Sequence, residues 1–156
     1  MPKLVMLIGL PGGGKTTAAN QLYPNFVRVS SDDFIEDYAD RVGKTYGEVF
    51  QDVIPHATHT MYEKLDAAIA ADQDIVWDQT NLDAKARKGK LKTVPKHYEK
   101  IALVIPPTKE NLERVERVNQ ERKSKGRSIP DYIMSNMAKR FEMPTEAEGF
   151  DEVIVF

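Results

Sequence analysis

The sequence contains no cysteine among its 156 residues. That excludes a disulfide framework, a thiolate metal site and a cysteine nucleophile; with no sign of an oxidising compartment, the cytoplasm is the expected location. Long apolar runs are missing too. Met1-Pro2-Lys3 is followed by only five apolar residues up to Ile8, short of a signal-peptide core, and nothing approaches the ~20 apolar residues of a membrane span. A soluble chain with no membrane partner is expected. Excess charge of one sign is also absent: 22 basic side chains face 24 acidic ones, for a formal charge of −2, which argues against bulk attraction to nucleic acid. The 41% hydrophobic and 29% charged residues that are present make an ordinary globular composition, and the length suits a single domain over 1–156.

Charge is unevenly distributed. From Asp32 to Asp72 ten acids face Arg41, Lys44 and Lys64, a balance of −7, whereas from Lys85 to Arg127 fourteen bases face five acids, a balance of +9. The second stretch is the one suited to a phosphate-rich ligand.

Short apolar runs alternate with helical periodicity. Lys3 to Ile8, Phe26 to Val29, Asp74 to Trp77, Ile101 to Ile105 and Val153 to Phe156 read as strands. Between them, helices are expected from Lys15 to Leu22, from near Phe34, from Ala84 to about Val94, from Lys109 to about Gln120, and after Pro130. Apolar residues recur every three to four positions between Thr45 and Ala71, and Pro55 is expected to kink that stretch or break it into two helices. The pattern predicts an α/β fold, a five-stranded mainly parallel sheet flanked by helices, with ligand sites at the strands' C-terminal ends.

One motif carries chemistry. Gly9-Leu10-Pro11-Gly12-Gly13-Gly14-Lys15-Thr16 matches the pattern G-x-x-x-x-G-K-[ST] in full, between a predicted strand and a predicted helix. Its glycines let successive N–H groups point at phosphate oxygens, and the helix N-terminus adds positive potential. Lys15 is placed to reach the β and γ phosphates and Thr16 to ligate Mg²⁺, so ATP and Mg²⁺ are the expected cofactors.

Carboxylates fall where such a loop needs them. Asp78 follows an apolar strand, the position suited to holding a metal's hydration shell, or it is a turn or cap residue ahead of Ala84. Asp32 and Asp33 follow the second strand; one of them is placed to accept a proton from a hydroxyl, or to cap the next helix. Arg114, Arg117, Arg122 and Arg127 crowd the region before Pro130; a solvated face paired with Glu113, Glu116 and Glu121 accounts best for the first two, and phosphate binding for Arg122 and Arg127. Lys85, Arg87, Lys88, Lys90 and Lys92 form a basic helix that is either solvated or a nucleic-acid contact. His56 and His59 lack a nearby third ligand and read as structural, and Trp77 reads as core. Phe34, Tyr38 and Tyr46 are placed to stack on a base.

Taken together these residues resemble the P-loop kinases related to the bacteriophage polynucleotide 5′-kinase and to the kinase domain of animal polynucleotide kinase-phosphatase. The resemblance rests on the loop Gly9 to Thr17, Asp32-Asp33-Phe34, Asp78-Gln79-Thr80-Asn81, Asn119-Gln120-Glu121-Arg122 and Ile129-Pro130. It implies that Asp32 is the general base, that Lys15 and Arg122 bind the transferred phosphate, that Thr16 coordinates the metal, and that a basic lid spans about 120–129. It also implies nucleotide contacts from Thr17 and Arg127, and acceptor contacts from Asp33, Phe34, Thr80 and Asn81. The phage member carries an arginine three residues after its base, where it helps hold the acceptor phosphate; Ile35 stands here.

The C-terminal half, from Asp78 through Met137, Phe141, Pro144 and Phe150 to Val153, is also similar to the ATP-binding domain of heterogeneous nuclear ribonucleoprotein U. That pattern lacks the paired aspartates. Small phage kinases acting on hydroxymethylated pyrimidines in DNA share the compact layout. The expected function is therefore an ATP-dependent kinase whose acceptor is a hydroxyl of a nucleic acid or nucleotide, foremost a polynucleotide 5′-hydroxyl. A hydroxymethylated base, a small metabolite and a non-catalytic ATP-binding module are the alternatives. A GTPase is disfavoured because no N-K-x-D string occurs, Thr108-Lys109-Glu110-Asn111 being the nearest. The sequence gives no reading of oligomeric state.

Overall fold

Leu4 through Ile8 have no exposed surface, as expected of a continuous apolar run that is flanked at both edges and covered on both faces. The computed structural model describes all 156 residues. In it β1 (Lys3–Ile8), β2 (Val27–Val29), β3 (Ile75–Trp77), β4 (Glu99–Val104) and β5 (Glu152–Val155) form one sheet in the order β2-β3-β1-β4-β5. Every pairing is parallel.

The period of two along β1 divides the core. Leu4, Met6 and Ile8 point to the face that buries Met61, Leu65 and Ala68, while Val5 and Leu7 meet Ala18 and Ala19 on the other. Those partners belong to α3 (Tyr46–Ala70) and α1 (Lys15–Leu22), which lie on opposite faces. α2 (Asp32–Val42) packs on α3, sharing a satellite cluster of Ile35, Ala39, Val49, Val53 and Ala57. α4 (Ala84–Leu91), α5 (Lys109–Glu121) and α6 (Asp131–Arg140) complete the chain, with 3₁₀ turns at Arg122–Lys125 and Glu146–Glu148.

Helix starts follow local chemistry. Thr45 and Glu48 form a reciprocal capping box at the head of α3, and Asp83 and Thr108 accept backbone N–H groups at the heads of α4 and α5. Two expectations need correction. The break at Pro55 does not occur, for α3 runs through it; Pro55 and Gln51, whose carbonyl loses its helical donor, are both exposed, so water can take up that carbonyl. Nor does α2 wait for Phe34: it begins at Asp32, after Ser31, whose own side chain makes no capping hydrogen bond. No helix is long and apolar enough to cross a membrane.

Candidate active site

The C-terminal end of β1 runs into the glycine loop, whose backbone enters α1 through two left-handed residues, Gly12 at φ 79° and Gly14 at φ 100°. Glycine is needed at both for a second reason. A Cβ on Gly12 would lie 3.1 Å from the Val118 side chain, and one on Gly14 would lie 3.2 Å from Nε of Arg114, so α5 presses directly on the loop. Gly9, Leu10 and Gly13 are not on the cavity wall; they close the loop from behind. The Gly9 N–H donates to the Thr80 carbonyl at 3.0 Å, and the Leu10 carbonyl accepts from the Gly13 N–H at 3.0 Å.

Lys15 is buried and its ammonium donates to the Leu10 carbonyl at 2.9 Å. Burial lowers its pKa to about 8, against the opposing pull of Asp78 and Asp32 and with a further push from Arg122. Beside it the Thr16 hydroxyl donates to Oδ2 of Asp78 at 2.8 Å. Asp78 is buried, and Arg28 of β2 joins the same oxygen at 2.8 Å while reaching Asp33 with its other arm at 2.5 Å. Asp78 is thus no helix cap, Asp83 having that role, and Asp33 is held by Arg28 rather than capping α2.

A cavity of about 360 Å³ opens over the loop, lined by Lys15, Thr16, Thr17, Asp32, Asp78 and Thr80 and by the arginines at 28, 114, 122 and 127. Arg114 corrects the expectation of a solvated pair: it faces the loop with a buried, unpartnered Nε, whereas Arg117 is exposed. The signal was available, because Arg114, Val118 and Arg122 recur at four-residue spacing and therefore share one helix face. Arg28 also went unnoticed, although a charge inside a three-residue strand is itself anomalous. Burial and the neighbouring Arg127 both push the Arg122 pKa down. Unpartnered guanidinium nitrogens among crowded cations fit a polyphosphate chain, which supplies the missing acceptors.

The residues present also fit Mg²⁺. A hydroxyl and a carboxylate lie together at Thr16 and Asp78, and nowhere do three or more His, Asp or Glu side chains converge; this cation takes few protein ligands and completes its shell with water and phosphate oxygens.

A second cavity, about 670 Å³, adjoins the first and shares Asp32, Gln79, Thr80, Arg122 and Arg127 with it. Its remaining wall is largely apolar, built by Tyr46, Phe50, Ile54, Ile129, Ile133 and Met137. Segment 120–129 is pinned at its base by Asn119, whose side-chain amide accepts from the Ile129 N–H and donates to its carbonyl, both at 2.8 Å. Arg127 pairs with Glu36 at 2.5 Å.

Three expected contacts lie elsewhere. Phe34 packs into the α2–α3 cluster and Ile35 is fully buried there, so neither reaches a cavity. Asn81, left-handed at φ 48° and buried, donates to the Leu7 carbonyl at 2.8 Å and accepts from Lys90; it fixes the loop after Asp78. Lys90 and Arg87 turn inward, leaving Lys85, Lys88 and Lys92 as the exposed bases of that segment.

A profile of the AAA domain matches residues 4–144. The chain belongs to the AAA domain family. Among curated proteins it is similar to the bifunctional polynucleotide phosphatase/kinase of Schizosaccharomyces pombe, 23% identical over 151 residues, covering 97% of this chain and 32% of that protein. The chain thus spans about a third of the length of that relative. Among solved structures, this family member is similar to a candidate kinase from Chloroflexus aurantiacus, with TM-score 0.63, 19% identity, and coverage of 99% of this chain and 84% of that one. It is also similar to a structure of the PezAT chromosomal toxin-antitoxin system of Streptococcus pneumoniae, with TM-score 0.59, 18% identity and coverage of 100% and 67%. A gluconokinase from Sinorhizobium meliloti gives TM-score 0.54 at 15% identity, covering 99% and 81%. The shared fold is that of the P-loop kinases.

Proposed function

We propose that the chain is an ATP- and Mg²⁺-dependent kinase that transfers the γ-phosphate to a hydroxyl of a nucleic acid, foremost a polynucleotide 5′-hydroxyl. The observation that carries the proposal is the position of Asp32, which together with Arg122 lines both cavities. A phosphate donor in the first cavity and an acceptor in the second would meet at that seam. Asp32 takes the proton of the acceptor hydroxyl, the freed oxygen bonds to the γ-phosphorus, and the bond from that phosphorus to the β–γ bridging oxygen breaks, leaving ADP. Lys15, Arg122, Arg114 and Arg127 hold the charge on the migrating group, and the 120–129 lid excludes water. Thr16 and Asp78 would hold Mg²⁺, which when bound neutralises charge between the β and γ phosphates.

The nucleic-acid acceptor is supported by the likeness to the polynucleotide phosphatase/kinase. A second reading, transfer to a hydroxymethylated pyrimidine within DNA, is favoured by the apolar wall of the second cavity and by Ile35, a buried uncharged residue at the place of the phage member's arginine.

The test supplies γ-labelled ATP and Mg²⁺ with a 5′-hydroxyl oligonucleotide, DNA containing 5-hydroxymethyluracil, or a nucleoside mixture, to wild type and Asp32→Asn. Label on the 5′-hydroxyl, reduced about 10²–10⁴-fold in the variant, is the expected outcome. Label on the hydroxymethyluracil DNA alone selects the second reading. ATP binding with no labelled acceptor overturns both.

A further inference from the structure

The phenol of Tyr46 donates to Oδ1 of Asp32 at 2.5 Å. The two residues are the first of α3 and the first of α2, so the contact joins the heads of two packed helices. Each side is fixed independently. The capping box of Thr45 and Glu48 sets where α3 begins, and the Asp32 N–H donates to Oγ of Ser30 at 3.2 Å. Oδ2 of Asp32 has no hydrogen-bond partner in the protein, and the carboxylate lies on the wall of both cavities. On the far side of the Tyr46 ring stands the lid: the Arg127 guanidinium lies 5.0 Å from the ring centroid, and Gly47 N–H meets the Gly126 carbonyl at 3.4 Å.

We propose that Tyr46 is a positioning residue for Asp32, holding one carboxylate oxygen so that the other faces the acceptor hydroxyl, with the lid seated on the ring that does the holding. This rests on the reading of Asp32 as the base. A carboxylate free to rotate would offer either oxygen in many orientations, and transfer demands one. Burial, and then the bond to Asp32, keep the phenol protonated far above its ordinary range, so it remains a donor throughout the working pH. The other charged groups around the pair are Lys15 beside the glycine loop, Arg122 and Arg127 of the lid, Glu36 of α2, and Asp33 held by Arg28.

The test compares wild type, Tyr46→Phe, Tyr38→Phe and Asp32→Asn, using γ-labelled ATP and whichever of the three acceptor probes the wild type labels. Tyr38 packs in the same α2–α3 cluster and lies on neither cavity, which makes it the control for loss of a phenol. Tyr46→Phe keeps the ring beneath Arg127 and removes only the donor. Its kcat is expected to fall about tenfold with KM for ATP unchanged. Tyr38→Phe should match wild type. A Tyr46→Phe kcat that coincides with wild type, while Asp32→Asn is inactive, overturns the inference and leaves the base assignment standing. Undiminished transfer by Asp32→Asn, or no transfer by wild type to any probe, overturns the base assignment and this inference with it.

Discussion

Lys15 shows how a single residue's environment becomes a measurable property. Its burial lowers the pKa to about 8, from an ordinary value of 10.5. Near pH 8 the nucleotide-free protein therefore holds this side chain about half protonated. Phosphate oxygens beside it favour the ammonium, so ATP binding must take up a proton. The expected uptake is about half a proton per ATP at pH 8 and close to none at pH 6.5, where the lysine is already charged. Calorimetry in buffers of different ionisation enthalpy reads this directly. Lys90, also pushed to about 8 by burial, is on neither cavity, so Lys90→Met should leave the uptake intact; ATP binding at pH 8 without proton uptake would contradict the assignment of Lys15. The same shifts act on stability with a definite sign. Both lysines bind more protons unfolded than folded between pH 8 and 10.5, so their contribution to stability rises with pH across that window. Residues of this kind were legible when a contiguous motif named them, as with Lys15, Thr16 and Asp78. Phe34 and Asn81 were misread because a side chain's direction at a helix head or after a strand depends on packing that no local pattern encodes. Arg28 and Arg114 were missed because their partners lie across the fold.

At the scale of elements, apolar period and caps located the helices and strands to within a few residues, since both signals are local. Pro55 was the exception, because tolerance of a proline in a helix depends on which face meets water. Asn119 and Arg122 mark the segment proposed as a lid, yet its seat was not readable, for it is made by the head of α3. That seat turns on Gly126, whose φ of 65° is left-handed and where a Cβ would fall 2.4 Å from Cβ of Thr45. Gly126→Ala cannot occupy the position without pushing the lid off the capping box that starts α3. The strained backbone alone costs about 1 kcal/mol, and the clash adds to it. Faster hydrogen exchange over 122–128 and faster tryptic cleavage after Lys123 and Lys125 are expected, with a smaller change over β1 and β4. Unchanged lid protection in Gly126→Ala would show that the lid does not rest on Thr45.

Across the whole molecule, the uneven charge has two destinations. Arg114, Arg122 and Arg127 of the basic stretch converge on the loop cavity, as its charge balance suggested, but Arg87 of the same stretch goes to the core. With no exposed surface, it donates to Glu148 at 2.8 and 3.1 Å and to the Asn81 carbonyl at 2.9 Å. Asn81 in turn holds the Leu7 carbonyl of β1. One guanidinium thereby ties the turn before β5 to the loop after Asp78 and, through it, to the central strand. Nothing local in the sequence reveals this, because Glu148 lies 61 residues away. The energetics follow from what each deletion leaves behind. Glu148→Ala leaves a fully buried cation without its counter-charge, and breaking such a pair costs about 3–5 kcal/mol. Arg87→Met combined with Glu148→Ala removes both charges and fills most of the arginine's volume with an apolar chain. The double variant should therefore recover much of the loss, despite giving up the bond to Asn81 and the Thr145 capping box that Glu148 closes. Urea midpoints at constant m-value decide the matter. A double variant no more stable than Glu148→Ala would mean that the cost lies in the lost cap and packing, and that the buried charge contributes little.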